Sequence, residues 1–113
     1  MTWTAEIHVV WLVNGRHVPG RVAIGVPELV AGGDGEAICP VALDGLQSIT
    51  RVRGEGPFHA LLQGVRFLDM RLRHYVADGV RLTFPDSDDE PESATECLLA
   101  MFRPWPDQAP PSS

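Results

Sequence analysis

An α+β fold, with an antiparallel sheet of four or five strands, one long helix packed on one face and a short C-terminal helix, is predicted by three features of this 113-residue sequence. An Asn14-Gly15 pair divides two stretches of alternating side chains, the apolar period becomes helical at Pro57, and alternation returns in Val80 to Phe84. Asn-Gly supplies the positive φ that a two-residue type I′ turn needs at both central positions. Pairing outward from it sets Trp11 opposite Val18, Val9 opposite Gly20, Ile7 opposite Val22 and Ala5 opposite Ile24, an apolar face. The other face pairs Leu12 with His17, Val10 with Pro19, His8 with Arg21 and Glu6 with Ala23, and is mostly polar. Turn chemistry and alternation thus agree on one register of a half-buried hairpin.

Val26-Pro27 ends the second strand, and Ala31 to Glu36 is a glycine-rich loop. Ala37, Cys39, Val41 and Leu43 then alternate with Ile38, Pro40, Ala42 and Asp44 as a third strand, in which the missing N–H of Pro40 predicts an edge or a bulge. Asp44-Gly45 marks a turn, and Leu46 to Gly54 is a poorer fourth strand. From Pro57 to Ala77, Phe58, Leu61, Leu62, Val65, Leu68, Leu72, Tyr75 and Val76 recur at three- and four-residue steps. Pro57 suits the first helical position and Gly79 the C′ position. Such a helix, on the order of 30 Å long, spans the apolar face from end to end. Gly64 inside it points to close approach to a strand or to simple tolerance. Ser93-Ala94-Thr95-Glu96 matches a capping box ahead of a short amphipathic helix. The body is one domain over residues 1–103, and 104–113 is a proline-rich tail expected to be disordered.

Charge is unevenly placed. Residues 1–84 hold eight acids and eight arginines, so the net charge of minus six falls entirely in residues 85–113. Lysine is absent, and every fixed cation is a guanidinium. The neutral body and acidic end argue against nucleic acid. No apolar run approaches the roughly 18 residues of a membrane span, and the N-terminus has no basic leader, so a reduced, cytoplasmic setting with buried thiols at Cys39 and Cys97 is expected.

Catalytic signatures are missing. His8 and His17 share a strand face on separate rungs, while His59 and His74 stand at opposite ends of the long helix, so no metal site is expected. Cys39 belongs to the apolar set of its strand, Ser93 reads as a cap, and Gly32-Gly33-Asp34-Gly35 lacks the lysine of a phosphate loop. No cofactor is called for. Arg51, Arg53, Arg66, Arg71 and Arg73 form a basic cluster in which Asp69 can pair with Arg73 at i+4, a solvated face in its plainest reading. Arg51, Arg66 and Arg73 are the residues that could grip an anionic ligand or substrate. Asp86, Asp88, Asp89, Glu90 and Glu92 form a proline-broken acidic stretch, either a solubilising loop or an arm that meets a basic protein partner. Exposed strand edges would also permit a homodimer.

CPVALDGL (Cys39 to Leu46) followed by PFHALLQGVRFLDMRLRHY (Pro57 to Tyr75) resembles a family of small uncharacterised bacterial domains with a Cys-Pro strand, a Gly-Leu turn and one long helix. The resemblance implies an α+β sheet-and-helix fold and brings no catalytic residues. Small, acidic, single-domain bacterial proteins of this build also look like the immunity proteins of toxin systems. These readings together point to a non-enzymatic protein-binding module, immunity- or antitoxin-like, that blocks a basic partner such as a toxin. The alternative is a small-ligand or enzymatic domain built on the arginines.

Overall fold

Alternating strands joined by short turns form a single antiparallel sheet, and the computed structural model describes residues 2–102 of it and its helices. The strands are β1 (Trp3–Val13), β2 (Arg16–Gly25), β3 (Glu28–Leu29), β4 (Ala37–Asp44), β5 (Thr50–Gly54) and β6 (Arg81–Thr83). The helices are α1 (Pro57–Ala77) and α2 (Pro91–Ala100). The tail expected over 104–113 lies outside the described residues.

The β1–β2 register is the one predicted, from Ala5 opposite Ile24 to Leu12 opposite His17, around Asn14 at φ 50° and Gly15 at φ 79°. Val41 pairs with Ile24 on one side and Thr50 on the other, and Ile38 pairs with Glu28 and Arg53. β2 and β3 therefore share one edge of β4 while β5 takes the other, and β3 continues β2 beyond the Val26-Pro27 break. The sheet is five ribbons wide, in the order β5, β4, β2 with β3, β1, β6.

This placement corrects one expectation. β4 is an interior strand, not an edge, and Pro40 is tolerated there because pairing with β2 stops at Val41 and pairing with β3 begins at Ile38. The missing donor falls in the gap between two partners. The same lane is crowded above, where a Cβ on Gly25 would lie 2.5 Å from the Pro40 ring.

α1 begins at Pro57 and ends as predicted. Gly79 at φ 101° is its C′ residue, with Gly79 N–H donating to Val76 O and Val80 N–H to Tyr75 O, both at 3.0 Å. These two bonds make a Schellman motif. Its buried stripe differs from expectation, however. Ala60, Gly64, Leu68 and Leu72 face the sheet, and a Cβ on Gly64 would stand 3.0 Å from Cys39 Sγ and 3.1 Å from a Val41 methyl. Small residues let the helix backbone settle directly on β4, so the bulkier Phe58, Leu62 and Val65 are turned outward. α1 accordingly lies over β4 and β5 and does not span the whole face.

α2 covers the opposite margin. It starts at Pro91 with Glu90 as N-cap and no side-chain cap, so the capping box at Ser93 is not formed and Ser93 lies within the first turn. Proline has its φ preset and no N–H to satisfy, which favours initiation three residues earlier. The shift turns Ala94, Thr95 and Leu98 inward and leaves Cys97 exposed, against the expectation of a buried thiol. Thr95 Oγ1 accepts the outward Leu82 N–H at 3.0 Å, which closes the free edge of β6.

Trp11 joins three strands. Its ring, 1% exposed, crosses β2 above Gly20, and its indole N–H donates to Asp44 O at 2.7 Å at the end of β4. A Cβ on Gly20 would collide with both the indole nitrogen and the Asp44 carbonyl. Gly20→Ala is expected to destabilise the domain by about 3 kcal/mol, measured by urea unfolding. Trp11→Phe, which leaves the Asp44 carbonyl without its donor, should lose about 1–3 kcal/mol in the same assay.

Candidate functional site

The acidic connection between β6 and α2 is short and held at both ends. Ser87 N–H donates to Phe84 O at 3.2 Å, Asp89 N–H to Ser87 Oγ at 3.1 Å, and Ala94 N–H to Glu90 O at 2.9 Å as α2 begins. Asp86, Asp88, Asp89 and Glu90 are exposed, and among the described residues none of them enters an ion pair. Four uncompensated carboxylates thus occupy five consecutive positions on a defined backbone. Those nearest α2 also meet its N-terminal dipole, which favours anions there.

Glu92 behaves differently from its neighbours. It sits in the first turn of α2, and both of its oxygens accept from Arg81 Nε, at 2.8 and 2.7 Å. Arg81 Nη1 also donates to Val76 O and Val80 O, each at 2.9 Å, so the pair fastens α2 to the end of α1 and to β6. Of the acidic stretch, Glu92 is the member tied to the scaffold.

The arginines do not converge. Arg73 Nε meets Asp69 Oδ1 at 2.7 Å across one helical turn, as the spacing predicted, and Arg53 meets Glu36 at 3.0 Å. Arg51 lines a groove with Glu28 and Pro40, on the face away from α1, whereas Arg66 lines a different recess with Val52 and Met70. Arg51 therefore stands apart, across the sheet from α1, while Arg66 and Arg73, seven residues apart, share one flank of α1, where Arg73 is held by Asp69. Arg71 turns inward instead: Arg71 Nε and Nη2 donate to Gln47 Oε1 at 3.1 and 3.0 Å, and Tyr75 Oη donates to the same oxygen at 2.8 Å. That network fastens α1 to the β4–β5 connection. Helical spacing puts Arg71 one turn before Tyr75, but Gln47 lies far away in sequence and carries no pattern that announces it.

Arg21 pairs across the strands with His8, as the register predicts, and the structure gives it a larger role. Its Nε donates to Asp44 Oδ2 at 2.5 Å and its Nη1 to Glu6 Oε1 at 3.0 Å. Hydrogen bonds to Asp44, then to Glu6, raise its pKa further above the ordinary arginine value. Its guanidinium also lies 4.5 Å from the Trp3 ring centre. A bulge between Trp3 and Ala5 moves Trp3 opposite Gly25, onto the same face as Arg21, and the stacked pair brackets Ala23, which is 2% exposed. This cluster is saturated by its own members, and its chemistry is structural.

Histidines and thiols are dispersed. His59 Nδ1 accepts the Glu55 N–H at 2.9 Å at the start of α1, and His8 lies 3.5 Å from Glu6 on the open sheet face. Among the described residues no three His, Cys, Asp or Glu side chains gather as metal ligands. Cys39 is fully buried beneath Gly64, and burial pushes its pKa up. Both thiols are free.

One apolar recess lies between the helices, where neither α1 nor α2 covers the ends of β1 and β2. It has a volume of about 210 Å³, and its walls include Ile7, Ile24, Val65, Leu68, Leu98 and Met101. A larger cavity of about 710 Å³ opens at the β1–β2 turn, lined by Arg16, Asp78, Tyr75 and Arg81 among others, of which Tyr75 and Arg81 are bonded inside the chain. Among the described residues no helix is long and apolar enough to cross a membrane.

The chain matches no family model, no curated protein and no solved structure.

The burial contrast between the two thiols has a direct readout. Ellman's reagent should titrate Cys97 rapidly in the native protein and Cys39 only after unfolding, because a desolvated thiol resists forming the reactive thiolate. Cys97→Ser should abolish the fast phase and leave the slow one.

Proposed function

We propose that this protein is a non-enzymatic binding module that docks a basic protein partner on the Asp86–Glu90 segment. One observation carries the reading: among the described residues Asp86, Asp88, Asp89 and Glu90 have no ion-pair partner, on a connection anchored by β6 and α2, while Arg21, Arg53, Arg73 and Arg81 are each engaged by the chain's own carboxylates. A fixed anionic ridge speeds encounter with a cationic surface and discriminates against acidic ones. Glu92 supports the ridge from behind by locking α2 to Arg81. The finer reading, an immunity- or antitoxin-like blocker of a toxin, adds small size, acidity and sheet-and-helix build to that ridge.

The arginine-based alternative has less behind it, because Arg51 lies across the sheet from Arg66 and Arg73, and Arg73 is already engaged by Asp69. The partner of first choice is the product of the adjacent gene, titrated calorimetrically against the full chain at low salt and at about 0.3 M salt. Affinity should fall with salt, and a variant with Asp86→Asn, Asp88→Asn, Asp89→Asn and Glu90→Gln should bind roughly tenfold or more weakly, at a few tenths to 1 kcal/mol for each exposed charge. Its thermal unfolding should be unchanged, since these side chains hold nothing inside the fold. Binding indifferent to both salt and neutralisation would remove the acidic ridge from consideration.

A further inference from the structure

On the helix-bearing side, the same surface carries an apolar projection and an apolar recess. Phe58 is 75% exposed, and Leu62 and Val65 follow it at 44% and 38%. At 100° per residue these three fall within about 60° of one another, forming one stripe along α1. Val65 is also a wall of the 210 Å³ recess, whose far side is Met101, itself 60% exposed. Apolar cavities of about 150 Å³ accept a benzene-sized group, so the recess has room for a phenyl ring. Phe58 and the recess lie on opposite sides of Leu62, about 6 Å away towards Phe58 and about 4.5 Å away at the nearest wall.

We infer that this face is a two-fold homodimer interface, in which α1 packs antiparallel against its symmetry mate near Leu62 and each Phe58 enters the recess of the other copy. Projection and hole placed symmetrically about a point are what an isologous contact requires. The area is also adequate. Phe58 alone presents about 150 Å², and the four exposed apolar side chains together present about 400 Å². A standard interface takes about 800 Å² from each partner, a little over half of it apolar. The acidic ridge stands at the other end of the ten-residue α2, about 15 Å from Met101, so self-association leaves it open. The inference is independent of the binding function proposed above.

The full chain is examined by sedimentation or light scattering from about 1 µM to about 1 mM. The mass should rise from 12.3 kDa towards twice that value. Leu62→Asp and Phe58→Ser should each hold it at the monomer mass with unchanged circular dichroism. In a Cys97→Ser background, Leu62→Cys should form an intermolecular disulfide with itself, because that residue lies beside the two-fold axis. Phe58→Cys should instead cross-link to Val65→Cys in a mixture of the two variants. A monomer at every concentration overturns the inference. So does a dimer indifferent to Leu62→Asp, which would be joined at strand edges. A monomer whose binding to the adjacent-gene product is weakened by Leu62→Asp also overturns it, and assigns the face to that partner.

Discussion

The reach of the Trp11 indole across Gly20 to the Asp44 carbonyl is the constraint on which the arrangement of this sheet depends. It ties the centre of β1 to the end of β4 over the strand between them, and it works only because Gly20 offers no Cβ. The turn that follows has the same requirement, since Gly45 at φ 100° lies against the same ring. On the opposite face, Asp44 uses its carboxylate to hold Arg21, which stacks on Trp3. One residue therefore joins the two faces: its backbone oxygen serves the buried side and its side chain the open side. That coupling keeps β2 between β1 and β4 in a single register.

Helix packing follows from a second constraint, the distance at which α1 can approach β4. Gly64 over Cys39 and Val41 sets that distance, with Ala60 one turn earlier against Gly54. Close approach by a helix with small residues at the contact buries a narrow stripe and rotates the larger side chains to its flanks. Phe58, Leu62 and Val65 remain at the surface for this reason, and the uncovered ends of β1 and β2 become a recess. The exposed apolar face is thus a consequence of how the core is made.

Electrostatics divide the molecule in the same way. Half of the body's arginines are engaged by carboxylates, Arg21 by Asp44 and Glu6, Arg53 by Glu36, Arg73 by Asp69 and Arg81 by Glu92 at the start of α2. Most of these pairs are solvent-exposed and contribute little to stability individually. Their larger effect is to leave Asp86, Asp88, Asp89 and Glu90 as the concentrated field of the β6–α2 connection. In the proposed function, that field is what a basic partner would meet.

The hairpin, its register, α1 with both of its ends, and the α+β class were legible in the sequence because each rests on local rules: the φ of Asn14-Gly15, side-chain period, and the terminal chemistry of Pro57 and Gly79. The interior place of β4, the inward turn of Arg71 towards Gln47, the bond from Leu82 to Thr95 and the exposure of Cys97 were not. Each depends on a partner distant in the chain, or on how a helix that begins three residues earlier docks against the sheet. Sequence alone determined the hairpin, α1 and where the negative charge accumulates, since those are properties of neighbours along the chain, whereas β3 and the starts of β5 and α2 were set by the fold. Tertiary structure alone decided which apolar residues are core and which carboxylates remain free, because burial and ion pairing are settled by what the folded backbone brings close in space.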